Sequence, residues 1–240
     1  MAVVDAPVRA DPRLIVPLDV PTVAEARALV DTVGEAVSFY KVGLELFATG
    51  GGMALAQELK AQGKQVFLDW KLHDIGTTVQ RSAAVLAETG CDFLTVHAEP
   101  QVLKAAVQGR GRSNLKILGV TVLTSLAEDD LRAEGIEQTI PEMVKARARI
   151  AARAGIAGLV CSPLEIEAAR AAAPGLLIVV PGIRPASGAG AAKGDQKRVA
   201  TAGQAIAAGA DYLVIGRPIR DAPDPAAAFE DAVREVEAAV

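Results

Sequence analysis

Eight times along 240 residues, a short run of β-branched and aliphatic residues gives way to an Ala-rich segment of helical period. The strand candidates are 14–20, 38–44, 65–72, 93–98, 115–124, 158–163, 176–184 and 212–218. The helical candidates between and after them are 23–32, 53–62, 79–89, 101–107, 141–153, 165–172, 198–207 and 225–238. Repeated strand–helix order implies parallel strands, because each crossover must bring the chain back to the same end of the sheet. Parallel strands are covered on both faces, which accounts for uninterrupted apolar runs such as Leu176-Leu177-Ile178-Val179-Val180. Gly63, Gly90, Gly155 and Gly209 each separate a helical segment from the next strand, as a left-handed helix cap requires. Eight such units close into an α/β (β/α)8 TIM barrel. The alternative is an open doubly wound sheet, against which stands the absence of a Gly-x-Gly-x-x-Gly after the first strand. No polar linker divides the sequence, so the reading is one barrel domain over 1–240 with residues 1–13 as an N-terminal extension.

Composition narrows the partners. Hydrophobic residues make up 51% and aromatics 3%, so the core is expected to be Ala, Val, Leu and Ile. A net charge of -4, from 25 basic and 29 acidic residues, leaves no basic face for a phosphate backbone, and stacking residues are scarce. Nucleic acid is therefore not an expected partner. Residues 1–13 hold Asp5, Pro7, Arg9, Asp11 and Pro12 and no apolar leader core, and no stretch reaches membrane-spanning length. A cytoplasmic location and no membrane contact are expected. Cys91 and Cys161 match no metal spacing and read as reduced, buried thiols.

Function is suggested by where the polar residues fall. In a (β/α)8 barrel the active site lies at the C-terminal ends of the strands. Asp19, Lys41, Asp69 with Lys71, His97, Thr124, Ser162, Arg184 and Gly216-Arg217 sit at or near the ends of strands one to eight in turn. Side chains alternate along a strand, so Asp69 and Lys71 are expected on the face of Phe67, pointing into the barrel. An inward ion pair stabilises little, since desolvation offsets the attraction, and chemistry is the better reason for it. A solvated charge cluster is the plain alternative for Asp69-Trp70-Lys71-Leu72-His73-Asp74, and packing is the expected role of His97 and Ser162.

The last two units suggest phosphate. The loops after strands seven and eight are this fold's usual phosphate cradle, and here they read Pro181-Gly182-Ile183-Arg184-Pro185 and Ile215-Gly216-Arg217-Pro218-Ile219. Glycine permits close backbone approach and arginine supplies a forked donor. The Gly/Ala-rich stretch 185–196, followed by Lys197 and Arg198, is long enough to fold over a bound phosphate.

These residues together resemble a known family. Lys41-Val42-Gly43, Asp69-x-Lys71-x-x-Asp74-Ile75 with Thr78, Val122-Leu123-Thr124-Ser125, Val160-Cys161-Ser162, Gly182-Ile183-Arg184-Pro185, Asp195-Gln196-Lys197-Arg198 and Gly216-Arg217-Pro218-Ile219 are similar to bacterial orotidine 5'-phosphate decarboxylases. Trp70, Leu72, Gly76, Thr77 and Glu99-Pro100 depart from the family's common residues. The resemblance implies conversion of orotidine 5'-phosphate to uridine 5'-phosphate and CO2 with no metal and no cofactor. It implies Lys71, Asp69, Asp74 and Lys41 as the catalytic charges, with Lys71 protonating C6. Asp19, Lys41, Asp69, Thr78, Thr124, Arg184, Gln196, Gly216 and Arg217 would bind substrate. It also implies a homodimer in which Asp74 and Thr78 serve the neighbouring subunit's site. A Mg-dependent sugar-phosphate aldolase or decarboxylase, and a catalytically silent nucleotide-binding barrel, are the competing readings.

Overall fold

A computed structural model describes residues 10–185 and 198–239 of the chain. The expected phosphate-closing stretch 185–196, beyond Pro185, and with it Gln196, lies outside the described residues, as do residues 1–9 of the expected extension.

Eight parallel strands close in sequence order into a barrel. They are β1 (Leu14–Pro17), β2 (Phe39–Gly43), β3 (Gln65–Leu72), β4 (Phe93–His97), β5 (Lys116–Val120), β6 (Gly158–Val160), β7 (Leu177–Val180) and β8 (Tyr212–Val214). β1 pairs with both β2 and β8, so no strand edge is left open. The open-sheet alternative is thereby excluded. The helices are α1 (Val23–Val33), α2 (Leu44–Ala48), α3 (Gly52–Ala61), α4 (Gly76–Ala87), α5 (Pro100–Arg110), α6 (Glu128–Ala133), α7 (Ile140–Ala154), α8 (Ile166–Ala172), α9 (Ala202–Ala207), α10 (Arg217–Arg220) and α11 (Pro225–Glu237). The eight expected helices are thus joined by short α2, α6 and α10, each inserted in a loop that follows a strand end.

Local chemistry sets the helix ends. Thr139 opens α7 with a reciprocal cap, accepting from the Glu142 N–H while the Glu142 carboxylate accepts from the Thr139 N–H. Gly155 closes the same helix in the left-handed conformation, at φ 73° and ψ 29°.

Two apolar layers result. Aliphatic side chains from the outer face of the strands pack against the helices. The barrel interior differs from the aliphatic core that composition suggested: Phe39, Phe67 and Phe93 meet there with Ile15, Leu118, Val179 and Val214. Their rings pack edge to face, Phe39 on Phe93 at 5.0 Å and Phe67 on Phe93 at 5.8 Å. A few large rings fill a space that would need many aliphatic side chains, so the scarce aromatics are concentrated where the barrel is hollow.

The strands end earlier than their apolar runs. β5 stops at Val120, β6 at Val160, β7 at Val180 and β8 at Val214, yet Val122, Cys161, Ile183 and Ile215 beyond them are buried. All four join the larger apolar cluster, and Val122 and Cys161 also line the cavity at the barrel mouth. Thr124, Ser162, Arg184 and Arg217 consequently stand on loops or a helix start, not on strands.

Candidate active site

β3 departs from regular geometry where it reaches the rim. Its pairing with β4 shifts register between Leu68 and Leu72, and Lys71 adopts φ 47°, the one non-glycine residue with positive φ among those described. A bulge of this kind re-aims side chains. Simple alternation is therefore broken at Lys71, and it is the bulge that brings Lys71 beside Asp69 over the Phe67 floor.

The result is a chain of alternating charge. Lys41 Nζ lies 2.9 Å from Asp19 Oδ1 and 3.2 Å from Asp69 Oδ2, and Asp69 Oδ1 lies 2.9 Å from Lys71 Nζ. Gly43 leaves the space for it: a Cβ there would stand 2.5 Å from Asp19 Oδ1 and 3.1 Å from Lys41 Nζ. Thr95 on β4 locks the bulge, donating to Asp69 Oδ1 at 2.9 Å and accepting from the Lys71 N–H at 3.0 Å. Burial pushes the Asp69 carboxyl up, but Lys41 and Lys71 outweigh it and hold it down at about 2. Burial likewise opposes the charge on Lys41, and Asp69 with Asp19 overcomes it, so Lys41 is held above its ordinary value.

This relay lines a cavity of about 450 Å³. Asp19, Lys41, Asp69 and Lys71 line one side, Val122, Leu123 and Thr124 another, and Gly182, Arg184, Gly216, Arg217 and Arg220 a third. Arg184 is buried and donates to its neighbour's carbonyl, that of Ile183, at 2.8 Å. Gly216 precedes α10, whose first residue is Arg217. The volume suits a mononucleotide-sized ligand.

Most of the expected site residues are therefore brought together. Asp74 and Thr78 are not: both are exposed and neither lines the cavity. Asp74 Oδ1 accepts from the Ile75 N–H at 2.6 Å. His97 stands outside the cavity lining, its ring 4.7 Å from that of His73, and His73 pairs with Glu99 at 3.0 Å. Burial, then the nearby His73, holds the His97 imidazole below its ordinary value. Trp70 packs against Phe47 of α2, ring centroids 4.5 Å apart and planes tilted by 45°. Cys91 and Cys161 are free and buried, and burial pushes the Cys161 thiol up to about 12. No group of three or more His, Cys, Asp or Glu among the described residues is placed to hold a metal.

Sequence reasoning missed two participants. Thr95 lies inside an apolar strand, its hydroxyl the only signal. Arg220 reaches from α10 to the Asp19 carbonyl at 2.5 Å and lines the cavity, one helical turn after Arg217.

A closed (β/α)8 barrel with a carboxylate–ammonium relay at one side of its mouth and arginines at the other defines a class: barrel enzymes that act on a phosphorylated small molecule. The chain matches the sequence model of the orotidine 5'-phosphate decarboxylase / HUMPS family over residues 12–232 and belongs to that family. It is 58% identical over 228 residues to the orotidine 5'-phosphate decarboxylase of Caulobacter sp. (strain K31), which spans 95% of this chain and 98% of that protein. It is 53% identical over 240 residues to that of Rhodopseudomonas palustris (strain ATCC BAA-98 / CGA009), with 100% and 99% covered. A crystal structure of orotidine 5'-phosphate decarboxylase from Lactobacillus acidophilus superimposes with a TM-score of 0.80 at 36% identity, over 94% of this chain and 99% of that one. No helix among the described residues is long and apolar enough to cross a membrane.

Proposed function

We propose that this chain decarboxylates orotidine 5'-phosphate to uridine 5'-phosphate and CO2, with Lys71 supplying the proton. The observation that carries the proposal is an ionised Asp69 held between two ammonium groups in the lining of a nucleotide-sized cavity. When the C6–carboxylate bond breaks, its electron pair stays on C6 as a poorly delocalised carbanion. A fixed cation beside C6 stabilises that charge as it develops, and an N–H on the same group ends the reaction by protonation. Lys71 serves both purposes, and Asp69 holds it in place. Solvent returns the proton to Lys71 after product leaves.

The remaining residues divide by position. Lys41 and Asp19 face the ribose, Thr124 the base, and Arg184, Gly216 and Arg217 the phosphate, with Gln196 assigned to the phosphate by the family resemblance. Binding energy from the phosphate then supports chemistry at C6. The enzyme acts as a cytoplasmic homodimer in which Asp74 and Thr78 complete the neighbouring subunit's site. Their exposure, and the fact that neither lines the cavity of its own chain, support this reading.

The test is loss of orotidine 5'-phosphate absorbance with and without excess EDTA. Turnover that EDTA leaves intact is expected. Inhibition by EDTA that Mg reverses would move the reading to the metal-dependent sugar-phosphate enzymes, and binding of uridine 5'-phosphate without turnover to a catalytically silent nucleotide-binding barrel.

A further inference from the structure

Beside the relay, the described residues hold a second buried ion pair, between Glu165 and Arg198. Glu165 Oε1 accepts from Arg198 Nη1 at 2.7 Å, and Oε2 accepts from the buried Ser162 hydroxyl. The other arm of the guanidinium, Nη2, donates to the Leu123 carbonyl at 2.8 Å. Arg198 Nε is buried with no hydrogen-bond partner among the described residues. Neither Glu165 nor Arg198 lines the cavity, so neither is placed to touch substrate.

Each partner belongs to a different rim loop. Leu123 immediately precedes Thr124 in the loop after β5, and Ser162 and Glu165 follow β6. Arg198 lies two residues before Ala200, whose carbonyl accepts from the Arg184 N–H at 2.9 Å and whose N–H donates back to Gly182 at 3.4 Å. One guanidinium thereby joins the side of the cavity that carries Thr124 to the side that carries Arg184. Such a pair is a poor source of stability: both ions lose water, and an orphaned N–H is buried with them. What a planar fork provides is fixed geometry between two acceptors.

We infer that Glu165 and Arg198 are positioning residues that set the spacing between the Thr124 loop and the Arg184 loop, and thereby the fit of substrate; this rests on the decarboxylase reading above. Mere stabilisation and positioning differ in what they change. Lost stability lowers the fraction of active molecules, and so apparent kcat, but leaves the KM of the folded ones alone. Lost positioning raises KM and weakens product binding in molecules that are fully folded.

The experiment compares wild type with Glu165→Leu/Arg198→Met, which replaces both ions by apolar side chains of similar size. Steady-state kinetics with orotidine 5'-phosphate, calorimetry with uridine 5'-phosphate and thermal melting are measured together. The double variant is expected to melt near wild type yet show KM raised, and product affinity lowered, about tenfold or more, the scale of one hydrogen bond to a charged group. A folded double variant with wild-type KM and product affinity would overturn the inference. Should that variant not fold, Arg198→Lys decides. Its single ammonium keeps a charge opposite Glu165 but cannot reproduce the fork to Leu123, so KM rises; a wild-type KM overturns the inference there too. Failure of the decarboxylase reading would instead appear in the wild-type chain, as absence of turnover.

Discussion

The two carboxylates that flank Lys71 in sequence live in opposite surroundings. Asp69, at the strand end, is 13% exposed and tied to Lys41, Lys71 and Thr95, so its charge is fixed in place and direction. Asp74, five residues later on the loop before α4, is exposed and bonds only to the N–H of the next residue among the contacts described. The folded single chain finishes one half of the motif and leaves the other facing outward. A charge that must act inside a barrel is built by the barrel; a charge left on its rim has use only if something else arrives. The homodimer proposed above gives Asp74 that use.

The largest effects probe this contrast directly. Lys71→Ala and Asp74→Asn are each expected to lower kcat by at least about 10⁴-fold, the combined scale of proton transfer and electrostatic stabilisation, with little change in melting temperature. Coexpressing the two variants forms about half heterodimers under random association. A site shared across the interface then restores about a quarter of wild-type activity, since half the dimers carry one intact site. No recovery, with subunit exchange confirmed by mass, would mean that Asp74 serves its own chain.

Next in size is Arg217→Ala, which moves the comparison to the loop after β8. It is expected to cost about 2–5 kcal/mol in kcat/KM if the phosphate contact is desolvated. An unchanged KM for the full substrate would remove Arg217 from the phosphate.

Asp69 is also expected to leave a mark on stability that Asp74 does not. Its folded-state pKa is about 2 against an ordinary 3.8. The stabilisation is therefore complete above the unfolded value, near pH 4 and higher, and lost as pH falls toward 2. Its size is on the order of 2 kcal/mol. Acid titration of unfolding free energy should show this slope in wild type and in Asp74→Asn, and lose it in Asp69→Asn. Thr95→Val removes one hydrogen bond to a charged carboxylate and one to the bulge, an effect of the same order. A loss of about 1.5–3 kcal/mol is expected, read as a lower kcat with KM nearly constant. Wild-type kcat would show that the bulge holds itself.

How much of this was legible in the sequence depends on range. The alternation of apolar runs and Ala-rich segments is a local signal repeated eight times, and it specified the barrel, since closure is the natural end of eight such units. Charges at successive strand ends, Asp19, Lys41, Asp69, Lys71, Arg184 and Arg217, were legible because the fold collects strand ends at one rim. The ends of β5 to β8 were overrun by three or four residues because Val122, Cys161, Ile183 and Ile215 continue the apolar runs and are buried beyond the strand ends. The backbone of Lys71 was not legible at all. A period-2 argument assumes a regular strand, and nothing in the identity of a lysine announces a left-handed conformation. Thr95 was passed over because a hydroxyl inside an apolar strand is commonplace; only the three-dimensional meeting with Asp69 gives it a role. Arg198 looked like the end of a loop, and its burial against Glu165 comes from segments thirty-three residues apart.

The left-handed backbone of Lys71 sets the motif's function against its own stability. At φ 47° a glycine would sit without the clash that any Cβ brings, a difference of about 1 kcal/mol or more. The position thus carries a standing temptation: the substitution most comfortable for the main chain is one that deletes the ammonium group. Lys71→Gly is expected to melt above Lys71→Ala while being equally inactive. A screen for thermal robustness alone would drift toward a handsome empty barrel, and only selection for turnover keeps a long charged side chain on a backbone better suited to none.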